Sequence, residues 1–193
     1  RGDLGLLRTR SVAVVGTREA TADGRSRAQK LARELVARGI TVMSGLAAGI
    51  DTAAHQAAIE AGGRTIAVIG TSLAHAYPRE NTALQAVIAN EQLLVTHVPF
   101  LFSEQRSWRE NRAFYPERNV TMSALSDATV IVEAGETSGT LIQAKAALQQ
   151  GRKLFILNSC FERGLSWPAD MVSRGAVRAR TVDEIVKNLG PIA

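Results

Sequence analysis

Short apolar runs, rich in β-branched residues, alternate along this chain with stretches that have the spacing of helices. Each run is nearly continuous in its apolar character, which is typical of strands buried on both faces of a parallel sheet. The predicted strands are residues 11–16, 40–43, 65–70, 93–98, 129–133 and 153–157. The predicted helices are residues 25–38, 51–61, 81–90, 117–125, 138–149 and 182–189. This alternation predicts an α/β fold, a doubly wound and mostly parallel sheet with helices on both faces.

Glycines and one threonine mark the ends of several predicted helices. Gly39, Gly62 and Gly151 follow helical stretches, where a left-handed C-cap is favoured. Thr181 precedes the last helix and is a suitable N-cap. The chain has no internal repeat, and its 193 residues, 46% of them hydrophobic, suffice for one well-buried core. We therefore expect residues 1–193 to form a single domain.

The least regular stretch of the sequence, residues 99–116, mixes aromatic side chains with arginines. Its aromatic residues are Phe100, Phe102, Trp108, Phe114 and Tyr115, and its arginines are Arg106, Arg109 and Arg112. One interpretation is a long loop or short helix that aromatic side chains pin to the core. The other is a flap that binds a partner or a nucleic-acid strand, because such a mixture suits stacking on exposed bases.

Charge and composition narrow the function classes. The net charge is +5, from 23 basic and 18 acidic residues, which favours a polyanionic partner if the excess gathers on one surface. A basic domain that binds no nucleic acid fits the composition equally well. No apolar run approaches the roughly 20 residues of a membrane span, and the first residues do not have the form of a signal peptide. We expect no membrane association and a cytoplasmic location.

The single cysteine, Cys160, has no partner for an internal disulfide and no neighbours in a metal-ligand pattern. We interpret it as a small buried or half-buried residue. The sequence therefore predicts neither a zinc site nor any other bound metal.

Small and polar residues follow the carboxyl ends of four predicted strands. In an open parallel sheet, ligands bind in the crevice beyond these ends. Glycine lets a backbone approach a ligand closely, hydroxyls and helix N-terminal amides donate hydrogen bonds, and the helix dipole favours an anion. The segments are residues 16–18, 44–49, 70–72 and 135–140. Together they predict a phosphate-binding edge, although each one alone also suits a tight turn and helix N-cap. Neither the G-x-G-x-x-G fingerprint nor a P-loop is present.

Individual side chains at this edge have two interpretations each. Arg18 is either a solvated surface charge or a cation in the crevice. Asp51 fits the N-cap or first turn of its own helix, and His55 is interpreted as its neighbour on that helix, not as a ligand. Lys145 shares a helix face with apolar residues, so it either reaches the surface or points its ammonium toward the crevice.

Five segments, taken in order and spacing, resemble the core of the DNA-processing protein A (DprA or Smf) family. They are VAVVGTREATADG, SGLAAGIDTAAHQAAIEAGGRTIAVIGT, YPREN, ERN and VEAGETSGTLIQAKAALQQGRKLF, and the match covers roughly residues 11–157. The resemblance implies an extended Rossmann-like fold and a non-enzymatic protein that binds single-stranded DNA without a cofactor. It further implies a homodimer that hands the strand to the RecA recombinase during natural transformation. By position, the phosphate-binding residues would be Arg18, Ser44, Gly45, Gly49, Arg118, Asn119, Ser138, Gly139, Thr140 and Lys145.

The sequence departs from the family pattern in several places. An acid, Glu117, and a valine, Val120, flank Arg118 and Asn119 where the family usually has a more basic run. Asn158, Ser159 and Cys160 replace a typical Pro-Gly beyond the sixth strand. Fewer cations predict weaker DNA binding. The N-terminal helical and C-terminal winged-helix domains of many members are expected to be absent from this chain.

Two other functions are alternatives to DNA binding, a phosphoribohydrolase and a nucleotide sensor. A LOG-type phosphoribohydrolase would need a P-G-G-x-G-T-x-x-E motif, but residues 135–143 lack the double glycine and end in Gln143. The nearby Glu133 and Glu136 are interpreted as strand-end and loop carboxylates. A sensor that holds a nucleotide without reacting on it would need the same amides, hydroxyls and cations as a DNA-binding site.

Overall fold

Seven strands form one sheet in the computed structural model, which describes residues 1–190 apart from the side chain at position 108. The order across the sheet is β4-β3-β2-β1-β5-β6-β7, and all six strand pairs are parallel. The strands are β1 (Ser11–Gly16), β2 (Thr41–Ser44), β3 (Thr65–Ile69), β4 (Leu93–Thr96), β5 (Ala128–Glu133), β6 (Lys153–Leu157) and β7 (Val177–Ala179). The predicted doubly wound α/β fold is confirmed.

Both faces of the sheet are covered, which explains why its central strands are mostly apolar and buried at almost every position. Alternate side chains of β1 enter opposite cores: Val12 and Val14 belong to one cluster, and Ala13 and Val15 to the other. A third, smaller cluster lies under one end of the sheet around Ile69. The side chains of these strands are therefore buried continuously, without the alternation of buried and exposed positions that a half-covered sheet shows.

The helices lie on both faces of this sheet. They are α1 (Ala22–Val36), α2 (Ile50–Glu60), α3 (Thr82–Glu91), α4 (Phe100–Glu104), α5 (Trp108–Asn111), α6 (Phe114–Leu125), α7 (Thr140–Gln149), α8 (Trp167–Ser173) and α9 (Val182–Leu189). Helices α1, α2 and α9 contribute to one core cluster, whereas α6, α7 and α8 contribute to the opposite one. Thr181 is the N-cap of α9, as predicted, and its hydroxyl accepts a hydrogen bond from the Glu184 amide.

The strand order reverses between β1 and β5. The chain runs from β1 outward through β2 and β3 to β4, then returns to the other side of β1 and continues outward from β5 to β7. Loops after β1 and β5 consequently diverge and leave a crevice between them. The topology thus places the segments after these two strands around one opening.

The structure differs from the sequence prediction mainly in its short elements. Strand β7 was not predicted, because its three residues include the exposed Arg178 and give no continuous apolar run. Helix α6 begins at Phe114 and not at residue 117, since Pro116 lies in its first turn, where proline is tolerated. Helix α8 was also missed.

The aromatic stretch 99–116 forms two short helices, α4 and α5, and the start of α6. Phe114 is buried and anchors it, as the pinned-segment interpretation expects, but Phe100 and Phe102 remain about half exposed (53% and 49%). The stretch is therefore tied to the core at one end and presents aromatic surface at the other.

Cys160 is buried, as predicted, and burial raises the pKa of its thiol to about 11. Within residues 1–190, no helix is both long enough and apolar enough to cross a membrane.

His55 lies in α2 and is completely buried beneath the sheet edge. Its Nδ1 is 2.7 Å from the Thr65 hydroxyl, which itself donates to the Val42 carbonyl. Nδ1 is therefore the donor, and the imidazole is neutral. Burial lowers the pKa of His55 to about 3, from an ordinary value of 6.5. The residue is a core group on its helix, as the sequence suggested.

We expect acid to weaken the fold through His55. The unfolded chain binds this proton near pH 6.5 and the folded chain only near pH 3, so the stabilisation is complete above pH 6.5 and is lost as the pH falls. Between pH 6.5 and pH 5 the loss amounts to about 2 kcal/mol in the free energy of unfolding. In urea unfolding at pH 7 and pH 5, His55→Gln should remove this part of the pH dependence. His75→Gln, which alters an exposed histidine, is the control and should retain it.

Candidate functional site

A crevice of about 380 Å³ opens beyond the carboxyl ends of β1 and β5. It lies at the reversal of strand order, where open parallel sheets bind their ligands. The loop after β1 forms one wall, the loop after β5 and the start of α7 form the other, and α6 lies across the end. The lining includes residues 15–19, Ala47, Asp51, residues 115–116, 118–119 and 122, Gly135, residues 137–140, Ile142 and Gln143.

Most of the predicted phosphate contacts lie in this crevice. The predicted residues that line it are Arg18, Arg118, Asn119, Ser138, Gly139 and Thr140. The Asn119 side-chain amide donates to the Gly139 carbonyl at 3.1 Å and so joins α6 to the loop before α7. The Ser138 hydroxyl accepts from the Thr140 amide at 3.3 Å. Segments distant in sequence thus form one surface.

Ser44 and Gly45 lie beneath this surface. Ser44 is fully buried, and its hydroxyl donates to the Val14 carbonyl at 2.7 Å. The Gly45 amide donates to the Asp51 carboxylate at 3.2 Å. Neither donor is free for a phosphate, because each already has a protein acceptor. These two residues therefore support the crevice, and direct phosphate contacts are not assigned to them.

Gly45 makes room for a buried arginine. A Cβ at this position would collide with the Arg118 guanidinium. Arg118 is only 6% exposed. Its Nη1 donates to the carbonyls of Gly45 and Val68, the latter at 2.9 Å. Its Nε donates to the Asn119 side-chain oxygen at 2.9 Å. Arg118 thereby joins α6 to the ends of β2 and β3.

Gly49 has a backbone requirement of its own. Its φ of +79° is in the left-handed region, and an added Cβ would lie 2.5 Å from the carbonyl oxygens of Thr17 and Arg18. Glycine therefore lets α2 begin directly against the loop that carries Arg18. Gly49 lies next to the crevice but does not line it.

Lys145 is exposed in the second turn of α7 and lies outside the crevice. It forms no ion pair with the residues that the structure describes. The surface position predicted as one of its two possibilities is the one observed.

Asp51, in the first turn of α2, is a buried acid whose charge interacts with that of Arg118 without a direct ion-pair contact. Burial raises the pKa of Asp51, and the positive charge of Arg118 together with hydrogen bonds from the Gly45 and Ala47 amides opposes this rise. Burial likewise lowers the pKa of Arg118, and Asp51 opposes that. Each charge makes the other tolerable in the interior. The sequence placed Asp51 correctly but did not identify Arg118 as its counter-charge.

Arg18 supplies the exposed positive charge of the crevice. Its guanidinium carbon lies 5.5 Å from the centre of the Tyr115 ring, within the range of a cation–π interaction. Burial is the main cause that raises the pKa of Tyr115 to about 12, so the phenol stays neutral beside the crevice. The ring orients the guanidinium without neutralising it.

Three carboxyl or amide side chains near the crevice have structural partners. Gln143 lines the crevice, and its side-chain amide lies 3.3 Å from the Thr129 hydroxyl. Glu133 accepts from the Thr21 hydroxyl at 2.8 Å and pairs with Arg163 at 3.2 Å, whereas Glu136 accepts from the Ser166 amide at 2.6 Å. Both glutamates are the strand-end and loop carboxylates that the sequence suggested.

Removing one member of the Asp51 and Arg118 pair should leave the other buried without a counter-charge. We expect Arg118→Met to lower the free energy of unfolding by about 3 kcal/mol. Adding Asp51→Asn should cost less than the sum of the single changes, with a coupling of about 1 kcal/mol or more. Urea unfolding of the four proteins measures this coupling. The pair Asp51→Asn and Arg18→Met is the control and should be additive; additivity for Asp51 and Arg118 would contradict the assignment.

The sequence and fold of this chain match those of a known protein family. The family model described as DNA recombination-mediator protein A matches residues 1–190. The DNA processing protein DprA of Bacillus subtilis is 37% identical over 98% of this chain and 62% of its own length. The DprA structure from Streptococcus pneumoniae has a TM-score of 0.82 at 33% identity, covering 97% of this chain and 64% of that one.

A second solved relative is DNA processing protein A from Helicobacter pylori, described with a single-stranded DNA binding mode. It has a TM-score of 0.81 at 28% identity and covers 97% of this chain and 84% of that one. The chain spans less than two thirds of the length of the Bacillus subtilis relative. Because both the family model and these relatives match almost the whole chain, this protein belongs to the DNA recombination-mediator protein A (DprA) family.

Proposed function

We propose that this protein binds single-stranded DNA without acting on it as an enzyme, and that phosphates of the strand occupy the crevice at the reversal of strand order. In this role it would protect the strand and help to load a recombinase during DNA uptake and recombination. The observation that carries the proposal is the convergence of Arg18 and the start of α7 on one opening. Membership of a family in which the Helicobacter pylori protein is described as binding single-stranded DNA supports it.

The start of α7 suits an anion. The Thr140 amide already donates to the Ser138 hydroxyl at 3.3 Å and the Leu141 amide to the Ser138 carbonyl at 3.0 Å, so the hydroxyls of Thr137, Ser138 and Thr140 are the donors that line the crevice here. The helix dipole adds partial positive charge at this end. With Arg18 on the opposite wall, a phosphate would meet donors on one side and a full positive charge on the other.

Such a site reads the backbone of a strand and not the order of its bases. Arg18 is the exposed cation of the crevice lining, and the buried charge of Arg118 is balanced by Asp51. Affinity should therefore be modest, tolerant of sequence and dependent on salt. Each phosphate that is neutralised should contribute about 0.7 to the slope of log affinity against log salt concentration.

We propose no hydrolase reaction at the crevice. In the hydrolase considered above, a carboxylate near the crevice moves a proton. Gln143 occupies that sequence position with a neutral amide, and Glu133 is committed to Thr21 and Arg163.

Homodimerisation and a contact with the RecA recombinase follow from the resemblance to the family, a cytoplasmic location follows from the sequence pattern, and all three stay predictions. The contact of Lys145 with DNA also stays a prediction. A strand leaving the crevice along α7 would pass this exposed ammonium in the second turn of the helix.

Arg18→Ala should weaken the binding of every single-stranded sequence alike. We expect the salt slope to fall by about 0.7, the share of one phosphate, while the thermal stability stays unchanged. Fluorescence anisotropy of labelled oligo-dT at several salt concentrations measures both affinity and slope. Arg64→Ala, which removes an exposed arginine beside the opposite edge of the sheet, is the matched control. Unaltered binding by Arg18→Ala, or displacement of the oligonucleotide by micromolar mononucleotide, would count against a strand-binding crevice.

Lys145→Ala should also weaken oligo-dT binding and reduce the salt slope, without unfolding the protein. The physical reason is the loss of one phosphate contact outside the crevice. Lys153→Ala, at the amino end of β6, removes the same charge from the far edge of the sheet and should have no effect. If the two lysine variants bind equally well in the same titration, the strand does not run along α7.

A further inference from the structure

The segment after β1, residues 17–21, carries Arg18 to the crevice and is bound at both of its ends by one residue, Glu133. We call this segment the Arg18 loop. At its start, the Thr17 amide donates to the Glu133 carbonyl at 2.7 Å. At its end, the Thr21 hydroxyl donates to the Glu133 carboxylate at 2.8 Å, and the Thr21 amide donates to the same carboxylate at 3.4 Å. The main chain and the side chain of Glu133 thus fix the two ends of the Arg18 loop.

Glu133 itself has a fixed place in the sheet. It is the last residue of β5, where it pairs with Gly16 of β1, and its side chain is only 3% exposed. Strand β5 lies between β1 and β6 and is hydrogen-bonded on both sides. A carboxylate that is buried at this place cannot follow the movements of a surface loop. The Arg18 loop is therefore held where the sheet places Glu133.

Gly24, in the first turn of α1, makes room for this carboxylate. A Cβ at position 24 would collide with a carboxylate oxygen of Glu133. The Gly24 amide donates to the Thr21 hydroxyl at 2.9 Å, and that hydroxyl in turn donates to Glu133. The N-cap of α1 is therefore also the group through which Glu133 holds the end of the Arg18 loop.

Two arginines balance the charge of Glu133. Nη1 of Arg163 lies 3.2 Å from one carboxylate oxygen, and Nη2 of Arg27 lies 3.9 Å from the other. Glu133 is bonded to Thr17, which lines the crevice, so an unbalanced negative charge there would repel a phosphate. With the two arginines beside it, the carboxylate can hold the loop without opposing an anion.

Arg18 is consequently fixed at both ends of its side chain. Glu133 holds the loop that carries its backbone, and its guanidinium carbon lies 5.5 Å from the centre of the Tyr115 ring. A long side chain that is free in solution loses conformational freedom when it binds a phosphate, which weakens binding. Arg18 is already directed to the crevice, so this loss is reduced.

We infer that Glu133 is a positioning residue for single-stranded DNA binding: its carboxylate holds the Arg18 loop so that Arg18 faces the crevice. This inference rests on the proposed DNA binding and assigns to it a residue that does not line the crevice. An acid beside a DNA-binding site ordinarily repels phosphates, and its removal ordinarily tightens binding. Positioning by Glu133 predicts the opposite result.

Glu133→Gln removes the negative charge and one of the two acceptors that hold Thr21. In anisotropy titrations of labelled oligo-dT, this variant should bind about tenfold more weakly than the wild type, the share of one charge-assisted contact to a phosphate. Its salt slope should fall by about 0.7, as for Arg18→Ala. In the Arg18→Ala background, Glu133→Gln should change the affinity by less than about twofold, because its effect passes through Arg18.

Thr21→Val tests the same contact without a change of charge. It removes the hydroxyl that donates to Glu133, so it should weaken oligo-dT binding and lower the salt slope in the same direction. Loss of an N-cap costs only a small part of the stability of a domain, so this variant should fold. Thr21→Ser keeps the hydroxyl and should bind like the wild type. A merely structural role would lower the melting temperature of the variants and leave the salt slope unchanged.

Glu136→Gln is the matched control. It removes an exposed carboxylate from the loop after β5 that binds the Ser166 amide and not the Arg18 loop, so it should bind oligo-dT at least as tightly as the wild type. If Glu133→Gln binds as tightly as the wild type or more tightly, or weakens binding equally with and without Arg18, the inference is overturned and the proposed function stands. Absence of wild-type binding to oligo-dT at low salt would overturn both.

Discussion

The interaction of Arg118 with its surroundings holds the candidate site together. Its guanidinium donates to carbonyl groups at the ends of β2 and β3, and it balances the buried charge of Asp51 at the start of α2. A buried guanidinium needs several acceptors and a counter-charge, and this one finds them on three different elements. The positions of α6, α2 and the two strands are therefore mutually dependent, and the crevice above them inherits that arrangement.

Much of the fold could be predicted from the sequence because the central strands are buried on both faces and are therefore mostly apolar. The same reasoning missed β7, whose exposed Arg178 interrupts a run of three residues, and the short helix α8. A strand at the edge of a sheet, or a short helix, depends on tertiary contacts more than on local pattern. Sequence periodicity carries no record of those contacts.

The sequence predicted at which edge of the sheet the candidate site lies, but not the role of each residue in it. Glycine, serine and threonine after the strands indicated the edge of the sheet at which the crevice lies. A glycine that admits a phosphate and one that admits a side chain look identical in sequence, however, and Gly45 is of the second kind. Arg118 was predicted as a phosphate contact from its position in the family resemblance, and its interaction with Asp51 became evident only from the packing. The role of Tyr115 in orienting Arg18 had no signal beyond its aromatic character.

The walls of the crevice come from the loops after β1 and β5 and from the starts of α6 and α7, which are far apart along the chain. No local segment can form this opening before the sheet has assembled, so it belongs to the folded state alone. Any anion that fits it therefore shifts the folding equilibrium of the entire domain toward the native state. Ligand affinity and global conformational stability are, for this architecture, two measures of one linked equilibrium.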